Sequence, residues 1–195
     1  MGIRPDCDEV AERSRGDQRI LGIDPGTVAT GWGVVEMAGG ALVHLAHGTI
    51  GSSASHSQGS RLCRIYHGLQ EVLARYEPHG VSLEKVFFAR NPQSALKLGQ
   101  ARGIALLAAA ETGIEIREYS SAEIKLSVVG YGQATKEQVQ KMVASLLHLS
   151  GKISGDAADA LAAAICYLHQ SSFHARVMGA LPAARKMPGE RHVIR

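Results

Sequence analysis

The chain has 195 residues, of which 45% are hydrophobic and 20% charged, enough for one globular domain around a single sizeable core. The formal net charge of +3 is compatible with a nucleic-acid partner without demanding one. Cys7, Cys63 and Cys166 are too scattered for a disulfide framework or a C-x-x-C clip, which points to a reducing cytoplasm; no signal peptide is expected, and no apolar run of about 18 residues is present.

Residues 1–18 are polar and of mixed charge, and are expected to form a disordered extension. The folded domain is expected over 19–170. Arg19 to Asp24 reads as a short buried strand, stopped by Pro25-Gly26, a pair that suits the centre of a type II turn. Gly31 to Met37 and Ala41 to Ile50 follow as strands of an antiparallel meander. Leu62, Ile65, Leu69, Val72, Leu73 and Tyr76 recur at helical spacing, so Gly59 to Tyr76 reads as a helix, ended by Pro78 and Gly80.

Val81 to Phe87 is a buried strand reached through that helix, hence parallel to the first. Asn91-Pro92 caps a helix running to Thr112, with Gly113 as its stop. Gly99 and Gly103 inside it cost about 1 kcal/mol each relative to Ala, and spaced by four they permit close approach of another helix. Ile114 to Tyr119 is a further strand. A short helical turn and loop over Ser121 to Gly130 precedes helices over Lys136 to Leu149 and Asp156 to Gln170. The fold class is therefore α/β, with a mixed five-stranded sheet flanked by helices. Residues 171–195 carry Arg176, Arg185, Lys186, Arg191 and Arg195 and are expected to form a flexible basic tail.

Four acidic residues stand out against this background. Asp24 ends an apolar strand, Glu84 lies inside one, and Asp156 and Asp159 open an Ala-rich helix on one face, three residues apart. Taken singly, Asp24 reads as a turn starter and the helix pair as capping acids. Glu84 sits in a strand that is apolar on both parities. Carboxylates brought together from neighbouring parallel strands and a packed helix repel one another, and persist only if cations neutralise them. An all-oxygen ligand set selects hard ions such as Mg²⁺ or Mn²⁺, and two such ions about 4 Å apart would clamp a phosphodiester and activate water. Nine histidines form no H-E-x-x-H and no i,i+4 pair, and read mostly as surface residues.

Leu21-Gly22-Ile23-Asp24-Pro25-Gly26-Thr27, Glu84-Lys85-Val86-Phe87, the run NPQSALKLGQARG from Asn91 to Gly103, and Asp156-Ala157-Ala158-Asp159-Ala160-Leu161-Ala162 together resemble the RuvC family of Holliday-junction resolvases over about residues 19–170. The resemblance implies a ribonuclease H-like fold, a homodimer, and Mg²⁺-dependent nicking of two like-polarity strands of a four-way DNA junction in recombination and repair. Mn²⁺ would substitute, two ions would bind per active site, and the nicks would carry 5′-phosphates. Implied partners are the branch-migration proteins RuvA and RuvB.

The family's catalytic, metal-holding acids fall on Asp24, Glu84, Asp156 and Asp159. Its basic residues near the site fall on Lys125, in the loop after Tyr119, and on Lys136, at a helix start that suits phosphate. Its junction-centre aromatic falls on Phe87, the neighbour of Phe88 on the opposite strand face. Arg90, Lys97 and Arg102 would extend the DNA-binding surface. The extension of about 18 residues is not typical of the family, and Phe88 and Arg90 stand where other members often have Met and Lys.

The helix from Pro92 is apolar nearly all round after Gly103, which suits either a two-fold dimer contact or a central core element. Ile23-Asp24-Pro25-Gly26-Thr27 also resembles the phosphate loop of actin-like kinases and ATPases. Those proteins need a second such lobe, and no second Gly-rich phosphate loop is present.

Overall fold

The computed structural model describes residues 17–53, 55–85 and 91–180, and for 175–180 the backbone only. In chain order the elements are β1 (Gln18–Asp24), β2 (Ala29–Ala38), β3 (Ala41–Gly51), α1 (Gln58–Tyr76), β4 (Gly80–Glu84), α2 (Pro92–Ala110), β5 (Glu115–Tyr119), α3 (Ser121–Val129), α4 (Lys136–Leu146) and α5 (Gly155–Ala180). The sheet order is β3-β2-β1-β4-β5. β1, β2 and β3 pair antiparallel, while β4 runs parallel to both β1 and β5. The mixed five-stranded sheet is the one expected from the alternation of elements.

Local chemistry sets the boundaries. Gly39 and Gly40 both have positive φ (57° and 86°), which a two-residue hairpin between β2 and β3 requires. Ser57 caps α1 by accepting from the Ser60 amide, and Glu77 ends it in the left-handed region at φ 42°, so the stop comes one residue before Pro78. Capping boxes at Ser120/Glu123 and Thr135/Gln138 start α3 and α4 by satisfying otherwise orphaned amides from both sides.

Each face of the sheet buries its own core. Leu21, Ile23, Val34, Val81 and Leu83 point to one side, against Ile65 and Leu69 of α1 and the alanines Ala101, Ala105 and Ala108 of α2. Ile20 and Val35 point to the other, against α5. α5 is buried almost without interruption from Ala157 to Leu168, because it lies between the sheet and the outer pair α3 and α4.

Several expectations need correction. Gly26 does not have positive φ, so Pro25-Gly26 is not a type II turn. The bend is held instead by Thr30, whose buried hydroxyl donates to the Gly26 carbonyl at 2.7 Å and accepts from its amide at 3.3 Å. Ser121 to Val129 is a full helix rather than a short turn and loop, so Lys125 is helical. α5 continues ten residues past Gln170 to Ala180, since nothing before Pro182 breaks it. The expected flexible tail therefore begins as helix. At the other end, β1 already includes Gln18, inside the expected extension. Gly99 and Gly103 have no neighbouring atom within 4 Å of where a Cβ would lie, so among the described residues no helix approaches them.

Candidate metal and nuclease site

In β1 and β4 the register Ile23↔Leu83 sets Asp24 and Glu84 level on adjacent parallel strands. Alternation decides their side. Leu21, Ile23, Val81 and Leu83 fill the core under α1 and α2, so Gly22, Asp24, Ser82 and Glu84 face α5.

α5 reaches the sheet closely because small residues clear its path. A Cβ on Gly22 would stand 1.9 Å from the Ala160 carbonyl oxygen, and one on Gly31 would stand 2.0 Å from the Asp156 carbonyl oxygen. A Cβ on Gly33 would strike the Leu161 side chain at 2.6 Å. Gly31 and Gly33 pair across β1 and β2 with Asp24 and Gly22, so the contact is one contiguous patch. Ser82, fully buried, donates to the Ala163 carbonyl at 2.7 Å. The first turn of α5, with Asp156 and Asp159, is thereby laid beside Asp24.

Electrostatics report the convergence. The Asp24 carboxyl is pushed up from 3.8 to about 7, first by burial, then by Asp159, Glu84 and Asp156, with Lys136 opposing. Glu84 is also raised, chiefly by burial; a hydrogen bond from Ser121 and the charges of Lys125 and Lys136 offset part of this. The Lys136 ammonium ion-pairs with Asp159 at 2.6 Å, which raises its own pKa, with Asp24 and Asp156 adding to the effect.

Among the described residues, no three acidic, histidine or cysteine side chains converge on one point at ligand distance. The acids are near enough to repel and are turned partly toward lysine. Their chemistry fits a divalent cation. The donors are all oxygen, Asp24 is destabilised as an anion by its three acidic neighbours, and the positive charges set against Asp24 and Glu84 are those of Lys136 and Lys125.

Of the other residues singled out in the sequence, Lys125 lies on α3 beside Glu84 and Lys97 is exposed on α2. Arg102 is engaged in an ion pair with Glu118 of β5, so it does not extend an open basic surface. Phe87, Phe88 and Arg90 lie outside the described residues. Sequence reasoning missed Ser121, Thr30, Ser82 and the glycines at 22, 31 and 33. A Gly-x-Gly in β2 opposite a lone Gly in β1 was the available signal for close helix packing. Ser121 left none.

A family model described as "Crossover junction endodeoxyribonuclease RuvC" matches residues 20–167. A protein of that name from Pelobacter propionicus is 50% identical over 151 residues, 77% of this chain and 86% of its own. Another from Cupriavidus metallidurans is 48% identical over 169 residues, covering 86% of this chain and 93% of the relative. Among solved structures, Thermus thermophilus RuvC superposes with a TM-score of 0.74 at 33% identity, over 80% of this chain and 97% of that one. The same protein in complex with a Holliday junction substrate gives 0.73 at 31% identity, over 80% and 96%.

Proposed function

The chain belongs to the RuvC family of crossover junction endodeoxyribonucleases, with the family's ribonuclease H-like fold, and on that premise we propose that Asp24, Glu84, Asp156 and Asp159 are the acids with which it resolves four-way DNA junctions. The observation that carries this reading is the half-buried Asp24 carboxyl, raised to about 7 by partial burial and three other carboxylates. A protein that only needed stability would place an apolar residue there.

The family is metal-dependent. Mg²⁺, with Mn²⁺ as a substitute and two ions per site, is the finer reading that the all-oxygen donor set supports. When bound, such ions polarise the scissile phosphate, lower the pKa of a water and neutralise the leaving oxygen. The chain's own residues set the stage. Asp24 and Glu84 are fixed by adjacent strands, and Asp156 and Asp159 by the helix seated on Gly22 and Gly31. Ser121 orients Glu84. Lys136, held by Asp159 in the DNA-free protein, would turn to a phosphate oxygen of the junction, and Lys125 would hold a neighbouring one. Phe87 is the proposed stacking residue at the junction centre, with Arg90 beside it on the backbone.

A homodimer matches the two-fold junction, so that two sites cut symmetric strands. Leu96 and Leu107 are 66% and 49% exposed on α2. With Gly99 and Gly103 they form one stripe at helical spacing, which a second copy of the helix could approach closely. RuvA and RuvB as partners, and work in the cytoplasm, complete the proposal. No helix among the described residues is long and apolar enough to cross a membrane.

Asp24→Asn tests the assignment. The variant is expected to bind synthetic four-way junctions in gel shifts at close to the unmodified affinity, and to cut them at least a thousandfold more slowly, on the order of a lost catalytic metal ligand. Cutting at the unmodified rate would remove Asp24 from the chemistry.

A further inference from the structure

His44 and His47 sit three residues apart on β3, a spacing that in a regular strand would put them on opposite faces. They do not lie so. The pairing of β2 with β3 steps from Val34↔Ala46 to Val35↔His44 and skips Leu45, so Leu45 is the extra residue of a β-bulge. Leu45 packs on the α1 side of the sheet and Leu42 on the α5 side. His44 and His47 pair with Val35 and Gly33, both of which face α5. The bulge therefore turns both imidazoles to the same side, with His44 Nε2 and His47 Nδ1 2.8 Å apart and ring centroids 4.9 Å apart.

The pair opens into a groove of about 620 Å³, whose far wall is the segment from Leu147 to Ile153 that joins α4 to α5. His148 is in that wall, with φ at 50°. Left-handed backbone at a non-glycine residue is strained and persists where the surroundings impose it. Burial and the neighbouring His47 hold the His44 imidazole below its ordinary pKa.

We propose that His44 and His47 form a binding site for a borderline transition-metal ion of the Zn²⁺ or Ni²⁺ class, separate from the acid cluster, with water completing the coordination, since among the described residues no third His, Cys, Asp or Glu converges with the pair. Two nitrogens bound to one such ion at about 2.0–2.1 Å stand about 3 Å apart when they are adjacent ligands, close to the separation already built into the pair. For both facing nitrogens to ligate, the hydrogen-bonding proton between the rings must move to the other nitrogen of whichever ring donates it. Imidazole ligation selects this class over Mg²⁺. Lys152 also lines the groove, but it is exposed and its charge is screened by solvent.

The full-length chain is titrated with Zn²⁺ in competition with a chromophoric chelator, in excess Mg²⁺ to occupy the acids. One equivalent is expected to bind, at least tenfold more weakly in His44→Asn, and unchanged in Asp24→Asn. Mg²⁺-dependent junction cutting by His44→Asn should stay within twofold. Cu²⁺ bound to the unmutated chain should give an electron paramagnetic resonance spectrum with hyperfine structure from at least two nitrogens, a readout that requires no variant to fold. Zn²⁺ binding that survives His44→Asn intact or disappears in Asp24→Asn, or a Cu²⁺ spectrum with oxygen ligands alone, would overturn the proposal.

Discussion

Asp24 is an acid whose folded form prefers to be neutral. Its carboxyl is raised from 3.8 to about 7, so the folded state holds this proton more tightly than the unfolded chain does. The associated stability is complete below pH 3.8 and is lost as pH rises to about 7. Metal-free protein should therefore become less stable across that window, by up to about 4 kcal/mol from this residue alone, and the raised Glu84 acts in the same direction. Thermal melts in chelator at a series of pH values read this directly. In Asp24→Asn most of the slope should vanish, and the variant should melt above the unmodified protein at about pH 8. A divalent cation needs the ionised form, so added Mg²⁺ should restore stability chiefly at the alkaline end. The sequence exposed the identity of these acids, because each interrupts apolar sequence, but it could not expose their pKa values, which arise from burial and from neighbours up to 135 positions away (24 to 159).

Helix α5 is positioned by absences. Gly22, Gly31 and Gly33 remove the methyl groups that would hold it off the sheet. Gly22→Ala or Gly31→Ala must push the helix backbone outward, at a cost of about 1–3 kcal/mol for overpacking, and should move Asp156 and Asp159 away from Asp24. Loss of junction cutting that exceeds the loss of stability is the expected signature, measured by urea unfolding and nicking rates side by side. Gly59→Ala is the control, at an open position on α1, and should be neutral or stabilising by up to about 1 kcal/mol. The strands were legible as short apolar runs, and α1 because its apolar positions repeat at helical spacing. Three features were not. The Pro25-Gly26 bend depends on the Thr30 hydroxyl, four residues on. The regularity of α3 depends on its capping box and on packing against α5. The bulge at Leu45, which pairs His44 with His47, is a matter of cross-strand register that one strand's sequence does not carry.

At the scale of the whole molecule, the exposed stripe of Leu96, Gly99, Gly103 and Leu107 is the proposed dimer contact. Leu107→Asp should shift the protein from dimer to monomer in sedimentation equilibrium and leave the melting of each protomer within a few degrees. A monomeric unmodified protein at micromolar concentration would remove α2 from the interface. Family membership was legible in four separated motifs, and the sheet, the helix docked on it and the acid cluster are the physical reason those motifs occur in that order. These acids are proposed to act through divalent cations on a branched DNA phosphate. The decisive experiment incubates purified protein with a synthetic four-way junction and with linear duplex of the same sequence, each in Mg²⁺ and in excess chelator. The expected result is paired, symmetric, ligatable nicks in the junction with Mg²⁺ and intact DNA in the other three reactions. Vigorous junction cutting in chelator would contradict it.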